Sequence, residues 1–386
     1  MQSEANPVVS VIVPARNEEA CLARCLESLV TQTGIDFEIV VVDDDSTDRT
    51  GEIARSFSSV KVIQAGPLPE NWTGKNNAMA AGAKIAKGKW LLFTDADTVH
   101  KPGSLARAVA EAEQHGAALL SYSPEQEVRT FWEKAVMPVI FAELAAAYPP
   151  EKVSDPSSPI AAANGQYLLI SREAYDAVGG HSKIANDLLE DVAMARLVKS
   201  SGRKVLFRYG GDAVSTRMYR DWAQMKEGWT KNLTLLFSNS GQLAIMNLVL
   251  VALLIGGARA SFSQPLSHLL LPPWPTWQEK MLVRELLLAL FLLLYFLNRF
   301  GFFLLLAYVL VRTRKAHFPW KATVLAPVGL LIFSYLLLRS RYLYAKGRLA
   351  WKDRTYVYST KEIEQLKQGG ASGLSEESGA PRETVN

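Results

Sequence analysis

The sequence predicts an α/β fold with a doubly wound, mostly parallel sheet, followed by an α-helical membrane segment. In residues 1–235, short apolar runs alternate with helical patterns, which favours a parallel sheet covered by helices on both faces. Residues 243–338 are dominated instead by Leu, Ala, Phe and Val. Basic residues follow these apolar segments, beginning at Arg312 and again at Arg339, and such clusters suit anionic lipid headgroups.

The predicted elements follow one another along the chain. Short apolar runs that end at turn residues predict strands at 8–13, 37–42, 60–64, 89–93 and 163–170. Apolar residues at helical spacing and acids at helix starts predict helices at 18–30, 50–56, 76–86 and 188–200. The pattern over 129–148 fits a core helix and an interfacial helix against a membrane equally well.

Three apolar segments are candidates for crossing a membrane, which takes roughly 20 apolar residues. They are 243–258, 286–311 and 323–338. Asn298 and Arg299 interrupt the second segment, so a kinked span and a tight helical hairpin are both open. Buried helices of a soluble protein are the alternative, but three successive segments with basic flanks favour the membrane.

These patterns predict three regions. Residues 1–235 form a cytosolic domain, 236–358 form transmembrane and juxtamembrane helices, and 359–386, rich in Gly, Ser and Glu, form a disordered tail. The first residues have neither a basic n-region nor an apolar h-region, so no cleaved signal peptide is expected. The expected location is a bacterial-type cell membrane, in which the protein crosses several times.

Charge and cysteine content exclude two classes of function. The formal net charge of +4 is small and dispersed, which argues against a nucleic-acid partner. Cys21 and Cys25 are the two cysteines and lie four residues apart on a predicted helix. That count and spacing suit neither a disulfide framework nor a zinc site.

Asp95 and Asp97 close the apolar run at 90–94 and are the most informative pair in the sequence. Alternation along a strand places both carboxylates on one side, with Ala96 turned away, at the sheet edge where α/β proteins bind ligands. Carboxylate oxygens are preferred ligands of hard divalent cations. The pair therefore predicts a metal ion that holds a nucleotide diphosphate, although Asp-x-Asp alone is as typical of a solvated turn.

Polar loops follow other predicted strands at the same edge. Residues 14–18 read Pro-Ala-Arg-Asn-Glu and 43–48 read Asp-Asp-Asp-Ser-Thr-Asp, with side chains able to hydrogen-bond a base or ribose.

Lys75 stands at the start of a helix, where free N–H groups favour an anion. The segment is not a P-loop, because Pro69 and Asn76 replace the residues that a P-loop needs. No Gly-x-Gly-x-x-Gly turn is present, which argues against a dinucleotide oxidoreductase.

The combination of these motifs resembles the family 2 glycosyltransferases with the GT-A fold. The motifs, in order over residues 8–235, are Pro-Ala-Arg-Asn-Glu, Val-Asp-Asp-x-Ser-Thr-Asp, Gly-Lys, Asp-Ala-Asp, Asn-Gly-Gln and Glu-Asp. Segments 165–167, 179–181, 190–192, 217–219 and 227–232 resemble the membrane-bound hopene-associated and diaponeurosporenoate (carotenoid) glycosyltransferases. Residues 351–356 are similar to the tail motif of those enzymes, with Asp353 where Gly is usual.

The resemblance implies a hexosyltransferase that glycosylates a lipid, as in carotenoid biosynthesis, and it implies the site residues. Asp191 would be the catalytic base, and Asp95 and Asp97 would bind Mg²⁺ or Mn²⁺. The implied nucleotide-sugar site is made up of Pro14, Ala15, Arg16, Glu18, Asp43, Asp44, Lys75, Asp95, Gln166, Glu190 and Trp229. The implied partners are a UDP- or GDP-sugar, a lipid acceptor and the membrane. For Asp191 a structural role is the alternative, because an acid in the first turn stabilises a helix.

One departure from the family pattern bears on the product. Processive synthases of the family carry Gln-x-x-Arg-Trp, and the matching region 224–229 has Glu227 where Arg would stand. This difference favours transfer of a single sugar, and the leading interpretation of the sequence is an inverting glycosyltransferase. A processive polysaccharide synthase and a non-catalytic, membrane-anchored scaffold are the alternatives. The presence of all three acids, Asp95, Asp97 and Asp191, weighs against the scaffold.

Overall fold

The chain divides into two compact units. A computed structural model describes residues 6–263, 281–351, 354–357 and 382–385. The first unit runs to Thr130 and continues through Glu143–Ser238 and from Arg339 onward, and the second comprises Phe131–Ala142 and Asn239–Leu338. The predicted boundary at residue 235 is not tested by this division and stays a prediction.

The first unit is built on a seven-stranded sheet. Its strands in chain order are β1 (Val9–Ala15), β2 (Phe37–Asp43), β3 (Val60–Gln64), β4 (Trp90–Phe93), β6 (Leu119–Ser123), β8 (Leu168–Ser171) and β9 (Val205–Tyr209). The spatial order is β3-β2-β1-β4-β8-β6-β9. All neighbouring strands are parallel except at β8, which runs antiparallel to both β4 and β6.

A second, three-stranded sheet lies beyond the end of β4 in the chain. It has the order β5-β10-β7 and consists of β5 (Thr98–His100), β7 (Glu125–Gln126) and β10 (Val214–Thr216). β5 begins directly after Asp97, so the small sheet fixes the backbone on the far side of the Asp-x-Asp segment.

Helices pack on both faces of the large sheet. The helices in chain order are α1 (Leu22–Val30), α2 (Thr50–Arg55), α3 (Gly74–Ile85), α4 (Ser104–Gln114), α5 (Phe131–Ala147), α6 (Pro150–Ser154), α7 (Arg172–Ala177), α8 (Glu190–Ser200) and α9 (Trp222–Leu236). Val11 of β1 shares one hydrophobic cluster with Leu26 of α1, whereas the next residue, Ile12, shares another with Met79 of α3. Successive strand residues point to opposite faces, so both faces are buried and β1 is apolar almost throughout. The predicted doubly wound, mostly parallel α/β sheet is thereby confirmed.

Two predicted elements differ at their ends for local reasons. The strand expected over 163–170 begins only at Leu168, because residues 164–167 form a turn in which the N–H of Tyr167 donates to the carbonyl of Asn164 at 3.0 Å. The helix expected from residue 18 begins at Leu22, after a turn in which the carbonyl of Glu18 accepts from the N–H of Cys21. The strands β6 and β9 were not predicted, because their serine, arginine and tyrosine residues interrupt the apolar pattern.

The second unit is helical. It contains the first part of α5, then α10 (Ser240–Ser263), α11 (Met281–Arg314), α12 (Trp320–Thr323) and most of α13 (Ala326–Ala345). α11 is one continuous helix across Asn298 and Arg299, so the tight hairpin is wrong. In the described part of the chain, two stretches are long and apolar enough to cross a membrane, Ser240–Arg259 and Phe296–Arg314. The third predicted segment, 323–338, is helical from Ala326 but is not among them.

The C-terminal residues that the structure describes are strands. β11 (Arg348–Trp351), β12 (Arg354–Val357) and β13 (Arg382–Val385) form an antiparallel sheet in that order. The expected disordered tail over 359–386 lies outside the described residues except at 382–385, where the chain is a strand instead.

Candidate active site

Three neighbouring parallel strands, β1, β2 and β4, end at one edge of the large sheet. The loops after β1 and β2 are tied to each other. Arg16 Nη1 donates to the carbonyl oxygen of Asp44 at 2.8 Å, and the N–H of Glu18 donates to Thr50 Oγ1 at 2.7 Å. This edge is where an α/β sheet binds its ligand, and the cross-links give it a defined surface.

The two aspartates at the end of β2 are largely buried. Asp43 and Asp44 are each 6% exposed. Asp43 accepts hydrogen bonds from the N–H of Ser46 at 3.0 Å and from Gln64 Nε2 at 3.2 Å. One carboxylate oxygen of Asp43 therefore holds the loop after β2, and the other holds the edge strand β3. Of the other residues expected here, Ala15 is buried and Pro14 is half-buried beside it.

Asp95 and Asp97 leave β4 on the same side. Ala96 between them is 2% exposed, whereas both aspartates are partly exposed, as alternation predicts. Thr98 Oγ1 donates to the carbonyl of Asp95 at 2.8 Å and fixes the turn between the two sheets. The segment between β4 and β5 thus carries two partly exposed aspartates, one residue apart, at the ligand edge.

Lys75 connects the aspartate pair to helix α8. It lies in the first turn of α3, whose N-cap Thr73 accepts from the N–H of Asn76. Lys75 Nζ lies 2.7 Å from Asp95 Oδ1 and 2.6 Å from Glu190 Oε1. Burial opposes the charged lysine, but the two carboxylates outweigh it and hold the pKa of Lys75 well above its usual value.

Asp191 lies beside this ion pair at the start of α8. The N–H of Gly165 donates to Asp191 Oδ2 at 2.8 Å. Burial, followed by the adjacent charge of Glu190, raises the pKa of Asp191 to about 6, against the opposing effect of Lys75 and two backbone N–H groups. A carboxylate with such a pKa is ionised at neutral pH and is a stronger base than an exposed aspartate.

Gly165 lies where three charged side chains converge. A β-carbon at this position would stand 3.2 Å from Glu190 Oε1, 3.3 Å from Lys75 Nζ and 3.5 Å from Asp191 Oδ2. The absence of a side chain therefore lets all three approach. The sequence contained Gly165 within the Asn-Gly-Gln motif, but its role was not predicted, because only the fold brings 165 to residues 75 and 190.

The remaining two predicted residues lie in the interior. Gln166 is 4% exposed and donates from Nε2 to Thr216 Oγ1 at 3.3 Å. Trp229 is 2% exposed, and its ring lies 5.9 Å from that of Tyr219. The negative charges of Asp97 and Asp95 add to the effect of burial in raising the pKa of Tyr219. Tyr219 therefore packs against Trp229 and lies close enough to the aspartate pair for their charges to act on it, a placement that the Arg-Met-Tyr motif at 217–219 could have indicated.

The carboxylates suit a metal ion that takes its other ligands from elsewhere. Among the described residues, no group of three or more His, Cys, Asp or Glu side chains is placed to hold a metal. Asp95 and Asp97 supply hard oxygen atoms, and a magnesium-like ion is commonly held by one or two carboxylates together with substrate phosphates and water. The donor set fits such an ion in the presence of a diphosphate.

Comparison with known proteins gives a family match in the N-terminal part of the chain. Residues 10–178 match the sequence model of Glycosyl transferase family 2. A 4,4'-diaponeurosporenoate glycosyltransferase of Staphylococcus aureus is 28% identical over 234 residues, which is 58% of this chain and 60% of that protein. The chain thus matches less than two thirds of the length of this relative.

Two solved structures are similar at lower levels. A mannosyltransferase from Pyrobaculum calidifontis in complex with GDP-Man and Mn²⁺ is 17% identical, with a TM-score of 0.48 over 89% of this chain and 88% of that one. S. aureus TarS in complex with UDP-GlcNAc is 16% identical, with a TM-score of 0.41 over 91% and 96%. Similarity at these levels says nothing about the substrates of this chain.

Proposed function

Since residues 10–178 are a domain of Glycosyl transferase family 2, we propose that the chain is an inverting glycosyltransferase that moves a single sugar from a nucleotide-diphosphate sugar to a lipid. The observation that carries this proposal is Lys75 Nζ, held between Asp95 and Glu190 at 2.7 and 2.6 Å beside Asp191. A lysine, two carboxylates suited to a metal ion and a carboxylate suited to act as a base lie together at the ligand edge of the sheet. Transfer of a sugar from a nucleotide-diphosphate donor needs groups of these three kinds.

The donor would lie across the ends of β1, β2 and β4. The tied loops with Arg16, Glu18 and Asp44 would surround the base and ribose of a UDP- or GDP-sugar. Lys75, close to the N-terminus of α3, would face the diphosphate, since a helix start and a lysine both favour an anion. Asp95 and Asp97 would hold Mg²⁺ or Mn²⁺, which when bound stabilises negative charge on the diphosphate.

Asp191 would act as the base. As the acceptor oxygen forms its bond to the anomeric carbon, the bond from that carbon to the phosphate oxygen breaks and the diphosphate keeps the electron pair. The acceptor proton passes to an Asp191 oxygen, and attack from the face opposite the diphosphate inverts the anomeric centre. The N–H of Gly165 at 2.8 Å holds the carboxylate in place for this transfer.

The pH dependence of transfer follows from the raised pKa of Asp191. A base must be unprotonated, so we expect kcat to fall as the pH drops below about 6, the pKa of Asp191, and to be level just above it. Initial rates between pH 5 and 8, with donor saturating, measure this. The Asp191→Asn variant should lack the acidic limb. A wild-type rate that stays constant down to pH 5 would contradict the assignment.

A membrane location is supported by exposed apolar surface on the second unit. Ile245, Met246 and Ile255 of α10 are more than 60% exposed, as is Phe300 of α11. Buried core helices would not present such side chains to solvent, and large exposed apolar patches mark contact with lipid or partners.

The relative in S. aureus is named for a carotenoid acid, which supports an isoprenoid, hopanoid or carotenoid acceptor. We place the catalytic domain on the cytosolic face of a multi-pass protein.

We expect the full chain to stay with the membrane when peripheral proteins are removed by washing at alkaline pH. The physical reason is that about 20 apolar residues in Ser240–Arg259 can span the hydrocarbon layer. Sedimentation of washed membranes, followed by detection of the chain in pellet and supernatant, measures this. Complete release into the supernatant would contradict a membrane span.

The test of activity is release of nucleotide diphosphate from UDP- and GDP-sugars by the full chain in lipid vesicles, together with product size. Release that depends on lipid, with one sugar per acceptor, would support the proposal. A ladder of longer products would favour the processive alternative, and no release with any donor would favour the scaffold. Glu227 is exposed on α9, and its acidic side chain is the observation that disfavours the processive alternative.

A further inference from the structure

Helix α9 brings a second lysine, Lys231, to the carboxylates of the site. Lys231 is partly buried, and its charge interacts with those of Glu190, Asp95 and Asp191. Three residues earlier on the same helix, a β-carbon at Gly228 would stand 2.5 Å from the hydroxyl of Tyr219, which itself interacts with the aspartate pair. Positions three apart share a helix face, so this face of α9 borders the cluster.

The backbone at Lys231 is held by the last two turns of α13, which belong to the first unit. Tyr344 donates its hydroxyl proton to the carbonyl of Lys231 at 2.7 Å, and Ser340 Oγ donates to the carbonyl of Thr230 at 2.7 Å. Tyr344 is 1% and Ser340 0% exposed. Hydrogen bonds from two buried residues therefore fix the part of α9 from which the Lys231 side chain leaves.

The two lysines of the cluster have different environments. Lys75 is in direct contact with two carboxylates, which already neutralise it. Burial lowers the pKa of Lys231 to about 8; Glu190 opposes this shift and the nearby positive charge of Lys75 adds to it. Two ammonium groups close enough to repel each other are stabilised by an anion with several oxygens, such as a diphosphate.

We propose that Lys231 is a second phosphate-binding residue of the donor site, which donates hydrogen bonds to the nucleoside diphosphate as it leaves the sugar. This inference rests on the proposed function. When the bond between the anomeric carbon and the phosphate oxygen breaks, the oxygen keeps the electron pair and gains negative charge. An ammonium held nearby stabilises that charge more in the transition state than in the bound donor, and no proton leaves Lys231.

The test compares Lys231→Gln and Lys231→Arg with Lys226→Gln in the full chain. Lys226 lies on the same helix, five residues earlier, and is partly exposed. The probes are UDP and GDP, with uridine and guanosine as controls without phosphate, measured by calorimetry with Mn²⁺. Sugar transfer gives kcat and KM for the same variants, and thermal unfolding shows whether each is folded.

We expect Lys231→Gln to weaken binding of UDP or GDP by about 10-fold or more and to lower kcat by about 10- to 100-fold, the size of a lost charged hydrogen bond. Lys231→Arg should keep most of the binding, and Lys226→Gln should behave as wild type. Binding of uridine and guanosine should not change. If Lys231→Gln does not fold, Lys231→Met, which keeps the apolar stem, is used instead with the same expectation.

Three results would overturn the proposal. In the first, Lys231→Gln binds the diphosphate and transfers sugar as well as wild type. In the second, it loses nucleoside and nucleoside diphosphate binding equally, which would show a structural role only. In the third, wild type binds neither UDP nor GDP, and the proposed function then fails as well. In the first two results, wild type still binds the nucleoside diphosphate, so the proposed function is not contradicted.

Discussion

Asp97→Ala is expected to abolish sugar transfer while leaving the fold intact. Asp97 is partly exposed in the turn between β4 and β5, so its carboxylate contributes more to ligand binding than to packing. A metal ion on a departing diphosphate stabilises the transition state by several kcal/mol, and each 1.36 kcal/mol is tenfold in rate, so a loss of about 10³-fold or more is expected. Transfer of labelled sugar, with thermal unfolding as the folding check, measures it.

The control for this variant is Asp176→Ala, an exposed aspartate on α7 that should have no effect. A chelator added to wild type should reproduce the loss, and Mn²⁺ or Mg²⁺ should restore the rate of wild type but not that of Asp97→Ala. Full activity in excess chelator, or in the folded Asp97→Ala variant, would show that no metal is held here.

Asp191→Asn is expected to lower kcat by about 10² to 10⁴, the usual contribution of a general base. Asparagine keeps the size of the side chain and can accept the hydrogen bond from the N–H of Gly165 through its carbonyl oxygen. The change therefore removes the proton acceptor and little else. Asp187→Asn is the matched control, since Asp187 is a half-buried acid four residues earlier whose pKa burial raises to about 6.

The size of this effect also distinguishes two acceptor classes. A hydroxyl must lose its proton as it attacks, whereas a carboxylic acid with a reference pKa of about 4 is already ionised at neutral pH. A loss of about a hundredfold or more, with donor binding by calorimetry unchanged, would indicate a hydroxyl acceptor. Retention of more than about a tenth of the rate would contradict the base assignment and favour a carboxylate, such as that of a carotenoid acid.

Much of the fold could be predicted because its signals are local. The apolar run of β4 ends at Asp95, and the run of β2 ends at Asp43, so the ends of strands were visible in the sequence. The same reasoning placed Lys75 at the start of a helix. The family resemblance drawn from these motifs is confirmed for residues 10–178.

The connections within the site could not be predicted, because they join residues far apart in sequence. The ion pair of Lys75 with Glu190 depends on how α3 and α8 pack on one face of the sheet. The burial of Gln166 depends on the small sheet, where it reaches Thr216. Lys231 lies in the segment 227–232 that carries the family resemblance, but the sequence gives it no role, because its neighbours are known only once α9 is placed.

The proposed function is the transfer of one sugar to each acceptor molecule of a membrane lipid. The most direct measurement is mass spectrometry of lipids extracted from cells with and without the chain, with the Asp97→Ala variant as a third sample. We expect a lipid whose mass increases by a single hexose only when the wild-type chain is present. Identical lipid profiles in all three samples, or a product that carries a long sugar chain, would contradict it.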